Sequence, residues 1–160
     1  MDLSKKNQTR GQKEKIVYPV GSYGYDKKKK NLHKQAWKLL SEIIRSGEAS
    51  GSGKVNCYTC GREHSWKDTD CGHFEHGGTS GLSLLDFCED NLRVQCKHCN
   101  KYLKGNLGVY AANLTAEIGL VRVLKIYTVK REINKMNQED YKVLIAGYKE
   151  RLAIIHSKNT

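Results

Sequence analysis

Residues 57–100 read CYTCGREHSWKDTDCGHFEHGGTSGLSLLDFCEDNLRVQCKHCN, and two cysteine pairs bracket them, Cys57-Tyr-Thr-Cys60 and Cys96-Lys-His-Cys99. A C-x2-C turn lets both thiolates reach one tetrahedral zinc, and two such turns close a four-sulfur structural site. A redox pair of the thioredoxin kind would need a single C-x-x-C inside a parallel α/β pattern, which this sequence lacks. One Zn2+ per chain is therefore expected on Cys57, Cys60, Cys96 and Cys99. Cys71 and Cys88 fall outside the pairs and are expected to pack as small apolar side chains. The 35 residues between the pairs exceed the roughly 15–20 of a simple zinc ribbon, so further structure is inserted there.

The insert carries the chemistry. Asp70-Cys-Gly-His73-Phe74 is followed by a Gly/Ser-rich loop, then by Leu84, Leu85 and Phe87 leading into Asn91-Leu-Arg-Val-Gln95. A strand, loop, strand and helix in that order would bring His73, Asn91 and Asn100 together as an H, N, N form of the HNH or ββα-metal nuclease motif, with a treble-clef-like zinc clamp at both ends. Phosphodiester hydrolysis needs a base to activate water and a divalent cation to neutralise developing charge. A histidine titrates in the right range to be that base, and His73 is expected in this role. Asn100 offers an amide oxygen to a hard cation such as Mg2+ or Mn2+, and Asn91 is expected to pin the loop through backbone bonds. Glu75 and His76 either assist the cation or stand in an exposed loop. His64 and His98 are expected at the surface, and His33 and His156 at helix ends.

Outward from this centre, the chain divides by composition. Residues 1–31 are expected to form a basic, largely disordered arm; residues 1–34 hold ten Lys or Arg against three Asp or Glu, and Lys27, Lys28, Lys29 and Lys30 are consecutive. Such a segment buries little and suits phosphate contacts. Leu32, Ala36, Leu39, Leu40 and Ile43 recur at helical spacing and predict a helix over 32–45. The Ser/Gly-rich residues 46–54 read as a flexible linker, and 55–106 as the zinc-knuckle core. Within 107–160, a helix broken near Gly119 precedes a second one started by Asn137 and Asp140, whose stripe of Tyr141, Ile145, Tyr148 and Leu152 is either a core face or the seam of a homodimer. The fold class expected is α+β, a small ββα-metal core flanked by helices.

The net charge of +11, the pI of about 9.4 and the mean hydropathy of −0.66 point to a polyanionic partner, DNA above all. Lys97, Lys101 and Lys104 are expected on a helix after the second cysteine pair, facing phosphates. No apolar run approaches the roughly 20 residues that span a bilayer, so a soluble, cytoplasmic protein with no membrane contact is expected.

Cys57-x2-Cys60-Gly61, Asp70-x-Gly72-His73-Phe74, Asn91-x3-Gln95-Cys96-x2-Cys99-Asn100, Lys104-Gly105-Asn106 and Tyr110 together resemble the NinG (Rap) family of lambdoid phage recombination proteins. The resemblance spans roughly Leu32 to Ile155. It implies a structure-selective endonuclease acting on Holliday junctions and D-loops. The order of cysteines, histidine and asparagine is also similar to phage T4 endonuclease VII, a junction resolvase with zinc knuckles. That enzyme has an aspartate directly before its catalytic histidine, where this chain has Gly72; the nearest acid is Asp70, in the family's D-x-G-H. An offset of three places Asp70 and His73 on opposite faces of a regular strand, so Asp70 joins His73 at one cation only through a kink or bulge at Gly72. No cysteine precedes Cys57, although members of the family commonly carry a cysteine-bearing N-terminal segment. Two alternatives accompany the branched-DNA nuclease: an HNH nicking or restriction-type endonuclease on ordinary duplex, and a non-catalytic zinc adaptor that binds DNA.

Overall fold

The computed structural model describes residues 26–77, 83–131 and 136–158. Eight elements follow in order: α1 (Lys27–Gly47), β1 (Lys54–Asn56), β2 (Glu63–Ser65), β3 (Thr69–His73), β4 (Leu92–Cys96), α2 (Leu107–Ile118), α3 (Leu120–Arg131) and α4 (Gln138–Lys158). The fold is α+β. Two antiparallel hairpins, β1–β2 and β3–β4, are set among the helices. No single described helix is long and apolar enough to cross a membrane.

Helix α1 begins at Lys27, not at Leu32, so Lys27–Lys30 occupy its first turn rather than a disordered arm. Four cations at a helix N-terminus oppose the helix dipole. The Asp26 side chain compensates by capping Lys29 N at 3.0 Å and accepting from Gln138 Nε2 of α4 at 3.0 Å. The remainder of the arm, residues 1–25, lies outside the described residues. The helix also runs through Gly47 into the stretch read as a linker. The rest of that stretch is a hydrogen-bonded turn, in which Ser50 N donates to Lys54 O and Gly53 N to Ser50 O, each at 2.8 Å. Serine and glycine here supply turn chemistry rather than freedom.

Ala36, Leu40 and Ile43 of α1 bury against Tyr141, Ile145, Tyr148 and Leu152 of α4, and Cys71 and Leu92 of the β3–β4 hairpin complete that cluster. The C-terminal stripe is thus a core face, the first of the two readings open to it. A second cluster joins Phe74 and Leu85 to Tyr110, Leu114, Val123 and Ile126 of α2 and α3. Gly119, at φ +80°, breaks the helix as its position requires. Asn137 Oδ1 accepts from Glu139 N and Asp140 N, while Asn137 N donates to Asp140 Oδ2, a reciprocal cap that starts α4. β4 is fastened to α2 by Arg93, whose Nε and Nη2 meet the Glu117 carboxylate at 3.1 and 2.7 Å. Tyr58 Oη donates to the same carboxylate at 2.7 Å.

Candidate active site and metal centre

The tight turn after β1 presents Cys57 and Cys60, and the end of β4 presents Cys96 and Cys99. Their four Sγ atoms lie within 4.8 Å of one another, and Cys60 Sγ is 3.9 Å from Cys96 Sγ. Tetrahedral zinc with bonds of about 2.3 Å sets sulfurs about 3.8 Å apart, so the cluster can hold a zinc ion. Its electrostatics suit a dication. Burial would raise the Cys57 thiol, but nearby backbone N–H groups and the Thr59 hydroxyl bring it down to about 6. Burial and the neighbouring sulfurs push Cys99 up to about 12. Cys71 is buried, its thiol pushed up to about 12 by desolvation, which fits its apolar packing.

The β3–β4 register runs without interruption from Thr69↔Cys96 to His73↔Leu92. No kink or bulge forms at Gly72, so Asp70 and His73 stay on opposite faces of β3. The reason is Gln95. Its buried side chain lies under Gly72, where an added Cβ would be 2.1 Å from Gln95 Oε1, and its Nε2 donates to Thr59 Oγ1 and Gly105 O.

Asp70 instead meets Asn100, whose Nδ2 donates to Asp70 Oδ2 at 3.0 Å. Lys101 Nζ stands 3.8 Å from the same oxygen. Both residues open into a cleft of ≈ 500 Å³ whose rim includes Trp37, Arg45, Lys67, Lys97 and Lys101. The remaining oxygens of Asp70 and Asn100 are hard donors of the kind a divalent cation takes. Lys97 opens and Lys101 lies within a single π-helical turn over residues 98–102, whereas Lys104 lies beyond it in left-handed backbone at φ +49°.

Asn91 is fully buried and both ends of its amide are committed. Oδ1 accepts from Glu75 N at 2.8 Å, and Nδ2 donates to Glu75 O and Leu85 O. It clasps both necks of the loop whose residues 78–82 lie outside the described set, the loop-pinning position expected of it. Glu75 pairs with Lys130 at 2.6 Å.

His73 lies on the α1 side of the sheet, where Trp37 stacks on it at 4.8 Å between centroids. The Asp86 carboxylate stands between two imidazoles, 3.1 Å from His33 Nε2 and 3.5 Å from His73 Nε2. Burial would raise Asp86, yet the two histidines hold it well below the usual carboxylate range. The His76 ring is 5.5 Å from that of His73.

Sequence reading missed His33, which is buried, and with it Trp37 and Asp86. The signal was present in the i, i+4 spacing of His33, Trp37, Ser41 and Arg45. Residues so spaced share one helical face, and this face lies along β3 while Ala36, Leu40 and Ile43 turn to α4. His33 meets Asp86, Trp37 meets His73, and Arg45 donates to Thr69 O at 3.5 Å. Asp86 carried no such signal, since only folding brings Leu84–Phe87 to β3.

Among known proteins, the family described as Bacteriophage Lambda NinG protein matches residues 2–157. Protein ninG of Salmonella phage P22 is 29% identical over 119 residues, which are 74% of this chain and 55% of that protein. Protein ninG of Escherichia phage lambda is also 29% identical over 119 residues, 74% of this chain and 54% of that protein. The chain thus spans little more than half the length of these relatives. No solved structure matches it.

Proposed function

The chain belongs to the bacteriophage lambda NinG family, and from that premise we propose that it is a metal-dependent endonuclease that hydrolyses phosphodiester bonds in branched DNA. The observation that carries this reading is the Asp70–Asn100 pair, two hard-oxygen side chains 30 residues apart held at 3.0 Å inside a lysine-rimmed cleft beside the four-cysteine cluster. Asp70 and Asn100 would hold Mg2+ or Mn2+, and the ion supplies neutralisation of charge on the phosphoryl oxygens. Lys67, Lys97 and Lys101 draw the flanking phosphates to the cleft, and the lysines at the start of α1 extend the basic track beyond it. His73 accepts a proton from the attacking water, with Asp86 orienting its ring as a carboxylate orients the base of a hydrolase. Trp37, which stacks on His73 and also lines the Asp70 cleft, is where the two halves adjoin.

A second reading, the non-catalytic zinc adaptor, draws support from the same tryptophan. With Trp37 over it, the His73 side chain is only 16% exposed. The test is to incubate the protein with a labelled four-way junction and a matched linear duplex, with Mg2+ or Mn2+ and with EDTA. The nuclease reading expects metal-dependent cutting of the junction, sparing of the duplex, and a rate for His73→Ala lower by roughly 10²–10⁴-fold. Asp70→Ala raises the cation concentration required. Equal cutting of duplex indicates an HNH nicking enzyme, and binding without cutting under every condition indicates the adaptor.

A further inference from the structure

The turn after Cys99 holds a side chain that the cleavage reading leaves unused. Tyr102 closes the π-helical turn of residues 98–102 and is 80% exposed, the most of any large hydrophobic residue among those described. Leu103 follows it, 47% exposed. An exposed aromatic ring on a mobile loop would mean little, but this turn is tied down on every side. Gly105 N donates to Cys99 O and Asn100 O, Leu103 N to His98 O and Asn106 N to Leu103 O, and Gly105 O accepts from buried Gln95. Lys104 and Asn106 both adopt left-handed backbone, at φ 49° and 48°, a cost that persists only where the surroundings impose it. The His98 ring stacks on Tyr102, 6.0 Å between centroids with planes 30° apart, which fixes the direction of the phenol.

Lys97, Lys101 and Lys104, all within five residues of this ring along the chain, are exposed as well. Lysine is depleted in protein–protein interfaces, whereas an aromatic ring set among cations is the composition that binds unpaired nucleotides, stacking on the base while the cations hold phosphates. Duplex DNA keeps its base faces stacked on one another; a branch point or a single strand exposes them. We propose that Tyr102 is a base-stacking residue that engages an unpaired DNA base while Lys97, Lys101 and Lys104 hold the adjoining phosphates. This rests on the reading of DNA as the substrate and gives it a discriminating contact: Tyr102 selects a branch over duplex. Asn100 is two residues away and Lys101 reaches Asp70, so a base stacked on Tyr102 brings its own backbone to the cleft.

Binding measured in EDTA separates this contact from cleavage. The probes are a four-way junction, a splayed-arm substrate and a linear duplex, the first two carrying 2-aminopurine at the branch. Wild-type protein should quench the 2-aminopurine and bind the branched DNAs more tightly. Tyr102→Ala should weaken branched binding on the order of ten-fold and abolish quenching, with little change on duplex and the same salt slope. Tyr102→Trp should retain both quenching and preference, and Lys101→Gln should weaken all three DNAs alike and flatten the salt dependence. Equal weakening of branched and linear DNA by Tyr102→Ala, or quenching that survives it, overturns the proposal. Stacking that persists in a protein that never cuts overturns the nuclease reading alone, and no binding to any of the three overturns both.

Discussion

Replacing Gly72 with alanine tests the packing that separates Asp70 from His73. The added Cβ would lie 2.1 Å from Gln95 Oε1, 2.8 Å from its Cδ and 2.9 Å from its Cγ, so the glutamine side chain must leave. Gln95 is fully buried, and leaving breaks its bonds to Thr59 Oγ1 at 3.1 Å and Gly105 O at 2.8 Å. Two buried hydrogen bonds at about 1 kcal/mol each and overpacking strain of about 1–3 kcal/mol give a loss of about 3–5 kcal/mol. At roughly 2–4 °C per kcal/mol for a chain of this size, Tm should fall by about 10 °C. Thermal and urea melts of the zinc-loaded protein measure it. Gln95→Ala alone should cost about 2 kcal/mol from the same two bonds. The Gly72→Ala/Gln95→Ala double variant should be more stable than the sum of the singles by at least about 1 kcal/mol, because the clash is gone. A single variant that melts within about 2 °C of wild type, or strict additivity in the double, would refute the assignment of that space to Gln95. An aspartate at position 72, directly before His73, would meet the same clash.

Two further outcomes are expected. Cys57→Ser or Cys96→Ser should release one zinc per chain and unfold the centre, read by metal analysis and circular dichroism; a folded variant with full metal content would dismiss the four-cysteine site. Asp86 is held below its ordinary 3.8 by His33 and His73 despite its burial. A lowered carboxylate contributes stability that is present above its unfolded pKa and lost as pH falls through the folded one. The stability gap between wild type and Asp86→Asn should therefore be present above about pH 4 and shrink below it, and a gap that does not change across that range would show that Asp86 is not held by the histidines.

The sequence made the metal cluster legible because a C-x2-C turn is local chemistry whose geometry survives any tertiary arrangement. Asn91 was legible for a similar reason, since an asparagine before a strand bonds neighbouring backbone. The helix break at Gly119 and the cap at Asn137 followed from single-residue rules. The placement of Asp70 relative to His73 did not follow, because it depended on whether β3 bulged, and β3 runs in regular register with a glutamine of the partner strand filling the space at Gly72. Asp86, Trp37 and His33 escaped because their meeting is a property of how α1 lies on the sheet, and that face of α1 looked like an ordinary polar side. The start of α1 was misplaced because four consecutive lysines suggested solvated chain, while a cap and a contact from α4 more than 100 residues away hold them helical.

The stripe of α1 that runs from His33 to Arg45 also bears on how this site could have been inherited or moved. Residues 55–106 carry all four clustered cysteines, the Asp70–Asn100 pair and His73, and would pass for a transferable cassette. Their site nonetheless lacks one wall until α1 is laid along β3, and α1 is itself anchored by α4 at the other end of the chain. Grafted into another protein, the segment would bring its ligands without the tryptophan over His73 or the second histidine behind Asp86. A unit that keeps this wall must carry α1 and α4 with the cysteine-bearing segment, and a cut at the edges of residues 55–106 would separate His73 and Asp86 from the surface that packs on them.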